Sequence, residues 1–338
     1  VSLALKEQDL RIIGDLLSEV SARFSSAEDA DFLAQATVLA HQLPRDLRLA
    51  LNDFRLQEPG AAICRISGYP IDDRKIGPTP AHWKERQRRC IPVREEFLLV
   101  LIASLLGEVI AWSTQQDGAV VHDIAPVKNH EREQLGSGSA EELTWHTEDA
   151  FHTYRGDYIG MMCLRNPDRV PTTFAALDIS ELDAATVDLL FQPLYTIRPD
   201  ESHLRKNRVD LPSDQQQLEA AHDRIDQMNQ QPDKIAVLFG SREEPYCRLD
   251  PYFMDSPEEP EAREALDRLI RLVDSQLEDL ILAPGELCFI DNFKAVHGRR
   301  PFKARFDGTD RWLKRVNITR DLRRSRSSRP SAESRLLL

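Results

Sequence analysis

FIDNFKAVHGRRPFKARFDGTDRWLKRVNITR, residues 289–320, sets His297 fourteen positions ahead of Arg311. A second stretch, LTWHTEDAF at 143–151, carries the pair His146-x-Glu148. Two imidazoles and one carboxylate on one face of a metal leave three coordination positions open, the donor set of non-haem Fe(II) oxygenases. A guanidinium a few strand residues beyond the second histidine then clamps the far carboxylate of 2-oxoglutarate bidentately. On this reading His146, Glu148 and His297 hold the metal and Arg311 anchors the co-substrate.

The His-x-Glu pair decides nothing alone. With 9 histidines and 56 acidic residues among 338, one such pair is expected by chance. Its weight comes from its surroundings. In an extended segment residues i and i+2 share a face, so His146 and Glu148 converge on one ion if LTWHTEDAF is a strand.

Composition limits the alternatives. A formal charge of −12 argues against non-specific nucleic-acid binding, which needs a cationic surface. It suits a cationic small substrate, and equally plain solubility. The five cysteines, Cys64, Cys90, Cys163, Cys247 and Cys288, are odd in number and lack metal-knuckle spacing, so they read as reduced thiols of a cytoplasmic protein. Charged residues Lys6, Glu7, Asp9 and Arg11 interrupt the N-terminal apolar residues, against a signal peptide. The run FLLVLIASLLG at 97–107 is too short to span a bilayer and reads as a buried helix. No membrane or nucleic-acid partner is expected, and the oligomeric state is left open.

Apolar residues recur at helical spacing over 6–22 and 28–56, and a third, mostly apolar helix is expected over 91–106. AAICRISG at 61–68 reads as a strand. From Gly107 short apolar runs alternate with Gly, Pro and Asp, the mark of a β-rich core. Strands are expected at 109–115, 143–151, 158–166, 172–178, 194–199, 235–241, 286–292 and 312–320. Eight such segments suit a double-sheet jelly roll. The expected fold is thus α+β: a double-stranded β-helix (jelly-roll) core with N-terminal and flanking helices. One domain is expected over 1–322, with 1–106 mainly helical and 107–322 forming the core. Polar insertions near 117–142 and 200–234 are candidate lids, a solvated insertion being the alternative for the latter. The Ser- and Arg-rich segment 323–338 reads as a disordered tail.

WHTEDAFHTYRGDYIGMMCLRNPDRVPTT (145–173) and DNFKAVHGRRPFKARFDGTDRWLKRV (291–316) together resemble the clavaminate synthase-like Fe(II)/2-oxoglutarate oxygenases. Within that group the chain resembles the free L-arginine hydroxylases of peptide-antibiotic pathways, those of viomycin and streptothricin. The resemblance covers roughly 110–320. It implies Fe(II) as cofactor, 2-oxoglutarate and O2 as co-substrates, and His146, Glu148 and His297 as ligands, with glutamate where most such oxygenases have aspartate. It further implies Arg311 and Thr173 at the 2-oxoglutarate, Arg315 at the substrate carboxylate, and Gln115 as an amide that touches the substrate, Gln116 being one residue away. Glu148 then serves twice, toward the metal and toward the ammonium. The substrate's guanidinium is expected among YCRLDPYFMD, at Asp250 and Asp255, although the closely spaced acid pair of the viomycin relative is absent. Arg299 and Arg300 are expected at the surface, a supporting role at the end of the metal strand being the alternative, and His152 and His222 outside the chemistry.

The implied reaction is hydroxylation of free L-arginine at C3, a second hydroxylation at C4 being open, with O2 consumed and succinate and CO2 released, in streptothricin-like antibiotic biosynthesis. The same chemistry on another amino acid or arginine derivative is the nearest alternative. A zinc hydrolase also uses two histidines and a glutamate, but HExxH is absent and Arg311 would have no purpose. A silent jelly-roll binding protein would not require a triad plus anchor.

Overall fold

The computed structural model describes residues 1–88, 93–205 and 215–338. Helix α1 (Glu7–Arg23) buries Ile13, Leu16, Leu17 and Val20 on one face and carries Glu7 and Asp9 in its first turn, where the helix dipole favours acids. The periodicity through 28–56 is shared by two helices. α2 (Ala30–Ala40) is capped by Asp29, which accepts from the amides of Asp31 and Phe32, and α3 (Arg45–Gln57) starts after Pro44. Proline lacks the amide hydrogen and clashes with a preceding helical turn, so one continuous helix is blocked there. The short α4 (Asp73–Ile76) and the apolar α5 (Val93–Ala103) follow. The helix expected over 91–106 therefore stops at Ala103, and residues 91–92, like Cys90, lie outside the described residues.

The N-terminal part also supplies strands. β1 (Ser2–Ala4) pairs in parallel with β2 (Ile63–Ser67). In chain order there follow β3 (Glu108–Trp112), β4 (His122–Ile124), β5 (Leu143–His146), β6 (Tyr158–Arg165), β7 (Thr172–Ala176), β8 (Leu238–Gly240), β9 (Pro245–Cys247), β10 (Glu278–Leu280), β11 (Leu287–Asp291), β12 (Ala295–Arg299), β13 (Trp312–Thr319) and β14 (Leu336–Leu337). The larger sheet runs β1-β2-β11-β6-β13-β3-β14 with β4 against β13, and the smaller runs β10-β7-β12-β5.

Alternation along each strand lets one strand feed two cores. In β6, Tyr158, Met162 and Leu164 pack with the N-terminal helices, whereas Ile159, Met161 and Cys163 meet Cys288, Ile290 and Leu313 between the sheets. Behind the smaller sheet, Trp145, Ala175 and Val296 pack on α6 (Ala184–Leu190) and, after the intervening α7 (Gln215–Gln230), on α8 (Pro260–Gln276), whose buried stripe is Ala262, Ala265, Leu266, Leu269 and Val273. The fold is the expected α+β jelly roll with N-terminal and flanking helices.

Several local expectations fail for physical reasons. Residues 194–199 make only isolated bridges, Tyr195 to Ile235 and Ile197 to Met254, and β8 pairs with β9 in a separate hairpin. The strand expected over 143–151 ends at His146, where Thr147 turns away to bond Leu249. β12, absent from the expected strands, is central to the smaller sheet; its Val-His-Gly-Arg run carries little apolar signal because one face lines a cavity. The 323–338 segment, expected as a disordered tail, folds back. Leu337 is fully buried with Ile110 and Trp112, β14 pairs with β3, and the Arg329 guanidinium donates to the carbonyls of Leu322, Ser331, Ala332 and Ser334. One anchoring leucine and one arginine hub order a segment whose composition alone is too polar to fold. Among the described residues, no helix is long and apolar enough to cross a membrane.

Candidate active site

Pairing of β12 with β5 sets His297 directly opposite His146, so both imidazoles leave the same face of the smaller sheet, their ring centroids 4.8 Å apart. The His146 Nδ1 lies 2.9 Å from the Thr144 carbonyl. A carbonyl only accepts, so Nδ1 carries the proton and Nε2 is left as a donor toward a metal. Glu148 arrives from the turn after β5. Its backbone is pinned on both sides by Asn292, whose Oδ1 accepts from the Glu148 amide at 2.8 Å and whose Nδ2 donates to the Glu148 carbonyl at 3.1 Å. That clamp puts Glu148 Oε2 3.6 Å from His146 Nε2 and 3.3 Å from His297 Nε2.

Glu148 Oε2 is buried and lacks a hydrogen-bond partner. Burial alone would raise the Glu148 carboxyl, yet Arg315, His146 and His297 hold it well below the usual carboxylate range. An ionised oxygen between two imidazole nitrogens, the three ligand atoms within 4.8 Å of one another, fits a divalent iron with open positions on the cavity side.

Arg311 is buried beside this centre. Its Nη2 donates to Thr172 Oγ1 at 2.9 Å, its Nε has no partner, and burial lowers its pKa to about 10. A buried guanidinium facing no carboxylate is costly, and an anionic ligand removes that cost. Thr172, rather than Thr173, is the hydroxyl on the cavity side. β7 pairs Thr172 with Arg299 and Thr173 with Gly298, so Thr172 shares the face of His297 and Thr173 points the opposite way. Arg299 corrects another expectation. It is buried at the cavity wall, donating to the carbonyls of Gly138 and Glu141, whereas Arg300 is half-buried and paired with Glu142 and Asp279.

The same cavity continues past Glu148 to Gln115, Asp200, Ser202, Asp250, Tyr252 and Arg315. The Arg315 Nη1 pairs with Glu148 Oε1, its Nη2 lies 3.0 Å from His122 Nδ1, and its Nε is buried without a partner. Gln115 Nε2 donates to Ser202 Oγ at 2.6 Å, while its buried Oε1 is unpartnered. Gln116 also lines the cavity, but its amide exchanges hydrogen bonds with the Asp123 backbone, whereas Gln115 keeps an open acceptor. Asp250 is buried, and desolvation together with nearby Asp200 pushes it up to about 7 despite His146. Asp255 lies outside the cavity. It accepts from Arg198 Nε at 2.8 Å and Thr196 Oγ1 at 3.0 Å, which satisfies its carboxylate.

Residues 91–317 match the model of the taurine catabolism dioxygenase TauD, TfdA family. The chain belongs to the TauD/TfdA dioxygenase family. It is 42% identical over 342 residues to the enduracididine beta-hydroxylase of Streptomyces hygroscopicus, covering 100% of this chain and 99% of that one. It is 44% identical over 342 residues to the L-ornithine/L-arginine 3-hydroxylase of Catenulispora acidiphila, covering 99% of each. Among solved structures, the non-heme iron oxygenase OrfP with Fe, succinate and (3S)-hydroxy-L-Arg superposes with a TM-score of 0.95 at 46% identity, over 100% of both chains.

The cavity of this TauD/TfdA dioxygenase is also lined by residues the sequence reading missed. Asp200 and Ser202 come from a stretch read as a lid or a solvated insertion. Asp200 caps the short helical turn Glu201–His203, accepting from the Ser202 amide at 2.8 Å. Asp-x-Ser is a visible helix-start signal, but it does not tell what the turn faces. His152 and His222 stay outside the cavity, His152 packed against Trp112 with ring centroids 4.5 Å apart.

Proposed function

We propose that this chain is an Fe(II)- and 2-oxoglutarate-dependent hydroxylase of free L-arginine. It attacks C3, with C4 the next position for a second round, in the making of an arginine-derived antibiotic building block. The observation that carries the reading is one cavity with complementary charges at three points. Glu148 Oε2 stands unpartnered between two imidazoles, Arg311 is buried without an acid, and Asp200 and Asp250 share the far end. Relatives named for arginine, ornithine and enduracididine support the same choice, and OrfP has also been solved with (3R,4R)-dihydroxy-L-Arg and with alpha-ketoglutaric acid. Residues 1–322 act as one catalytic unit. Four described cysteines, all buried and free, support a reducing, cytoplasmic setting.

Each residue's task follows from its chemistry. His146, Glu148 and His297 hold the iron. Arg311, with Thr172 beside it, receives the C5 carboxylate of 2-oxoglutarate as a bidentate guanidinium does. The substrate's carboxylate goes to Arg315, its ammonium to Gln115 Oε1 and Glu148, and its guanidinium to Asp250 and Asp200. Held by His146, Glu148 and His297, iron would supply the coupling of oxidative decarboxylation of 2-oxoglutarate by O2, which places one oxygen atom in succinate and releases CO2, to insertion of the other oxygen atom into a C–H bond. No acid or base need touch that carbon, so regiochemistry is set by how these residues aim it. Incubating L-arginine with the protein, Fe(II), ascorbate and 2-oxoglutarate under air tests the proposal. Mass spectrometry is expected to show the gain of one oxygen atom at C3, matched by succinate, and no product overturns the reading.

Asp250→Asn keeps the shape of the far end but replaces a charge-assisted contact with a neutral one. A charge-assisted hydrogen bond is about twice as strong as a neutral one, so kcat/KM for arginine is expected to fall about tenfold relative to citrulline, which carries no charge there. Asp255→Asn is expected to leave that ratio alone, because Asp255 serves Arg198. An unchanged ratio in Asp250→Asn would move guanidinium recognition elsewhere.

A further inference from the structure

Asp149, Asp200 and His203 bring three ligating atoms within 4.8 Å of one another beside the cavity. Their types suggest a second cation site, but Asp149 is already filled by donors. Its Oδ2 accepts from Trp112 Nε1 at 2.6 Å and Asn317 Nδ2 at 3.1 Å, and its Oδ1 accepts from Gln115 Nε2 at 3.3 Å and faces His203 Nε2 at 3.1 Å. The cluster is a joint rather than an ion site. The His203 ring is fully buried, its Nδ1 is 2.7 Å from Thr114 Oγ1, and it packs edge-on to Trp112 and Phe151.

This one ring therefore ties three pieces of chain together: the segment after β3 that bears Gln115, the turn that bears Glu148 and Asp149, and the turn that bears Asp200 and Ser202. Gln115 is held from both sides, by Asp149 and by Ser202. Loss of His203 removes the turn's ties to Thr114 and Asp149, and Ser202 of that turn is one of the amide's two partners. We propose that His203 is a positioning residue, which by bridging Asp149 and Thr114 holds Asp200, Ser202 and Gln115 in register over the amino-acid end of the cavity. The identity of that amino acid rests on the arginine reading; the joint itself does not.

Anaerobic calorimetry with Fe(II) and 2-oxoglutarate present measures L-arginine binding to wild type, His203→Phe and His203→Gln. Losing hydrogen bonds at both ring nitrogens is expected to weaken arginine about tenfold or more in His203→Phe. Fe(II) affinity and the KM for 2-oxoglutarate are expected to stay as in wild type, and succinate to exceed hydroxylated product. His203→Gln, which retains a donor toward Asp149, is expected to recover most of the loss. Thr114→Val removes the other end of the bridge and is expected to move arginine binding the same way, which tests the joint should His203→Phe fail to fold. Wild-type arginine affinity in folded His203→Phe, equal weakening of arginine, 2-oxoglutarate and iron, or no recovery in His203→Gln overturns the proposal. If wild type ignores arginine, the function reading falls, and the joint is scored by the same criteria on L-ornithine or L-lysine, whichever wild type binds.

Discussion

His297→Ala and His146→Ala are each expected to abolish turnover while leaving the fold intact. Losing even an outer hydrogen-bond partner of a metal ligand costs about 10–100-fold in metal affinity or activity. Removing one of only three protein donors exceeds that, because the remaining imidazole and carboxylate no longer define a face of the ion. The fold tolerates the change for a specific reason. Both histidines project into the cavity, while neighbours Trp145 and Val296 project the other way into the core against α8. Circular dichroism and melting temperature are therefore expected to stay near wild type while anaerobic Fe(II) titration shows the loss. Full activity in either variant would remove that histidine from the metal site.

The same alternation explains what the sequence made legible. Strands buried on both faces, such as β6 and β11, announce themselves as continuous apolar runs, and the two motif blocks fell on β5, β12 and β13, the strands that surround the cavity. Legibility ended where side chains act outside strand register. Glu148 meets His146 from a turn held by Asn292, so the i, i+2 argument reached the right pair by a geometry the chain does not use. Thr172 and Thr173 are adjacent and identical, and only the pairing partners of β7 tell which one faces inward. Asp255 was drawn in by proximity to Asp250, but Arg198, far away in sequence, takes its carboxylate. Asp200 and Ser202 sit on a polar turn whose roof position depends on buried contacts to Thr114 and Asp149, and no local pattern encodes those contacts.

Arg311→Ala is expected to raise the KM for 2-oxoglutarate while leaving arginine binding largely unchanged. Truncating one partner of a buried, hydrogen-bonded charge pair typically costs about 2–5 kcal/mol, or about 30-fold to several thousandfold. The upper part of that range applies when nothing else reaches the orphaned carboxylate. Arg299 is the neighbouring cation, but its guanidinium is committed to the carbonyls of Gly138 and Glu141 and cannot turn without opening that loop. Thr172 supplies only a neutral hydroxyl. Arg311→Lys separates charge from shape: a lysine keeps the charge as a single point donor and loses the fork that matches a carboxylate, so its KM is expected to fall between wild type and Arg311→Ala. Steady-state succinate formation at varied 2-oxoglutarate, with arginine saturating, measures all three proteins. A KM in Arg311→Ala equal to wild type would mean that the carboxylate is held elsewhere, and Arg299 would then have to give up its backbone carbonyls to hold it.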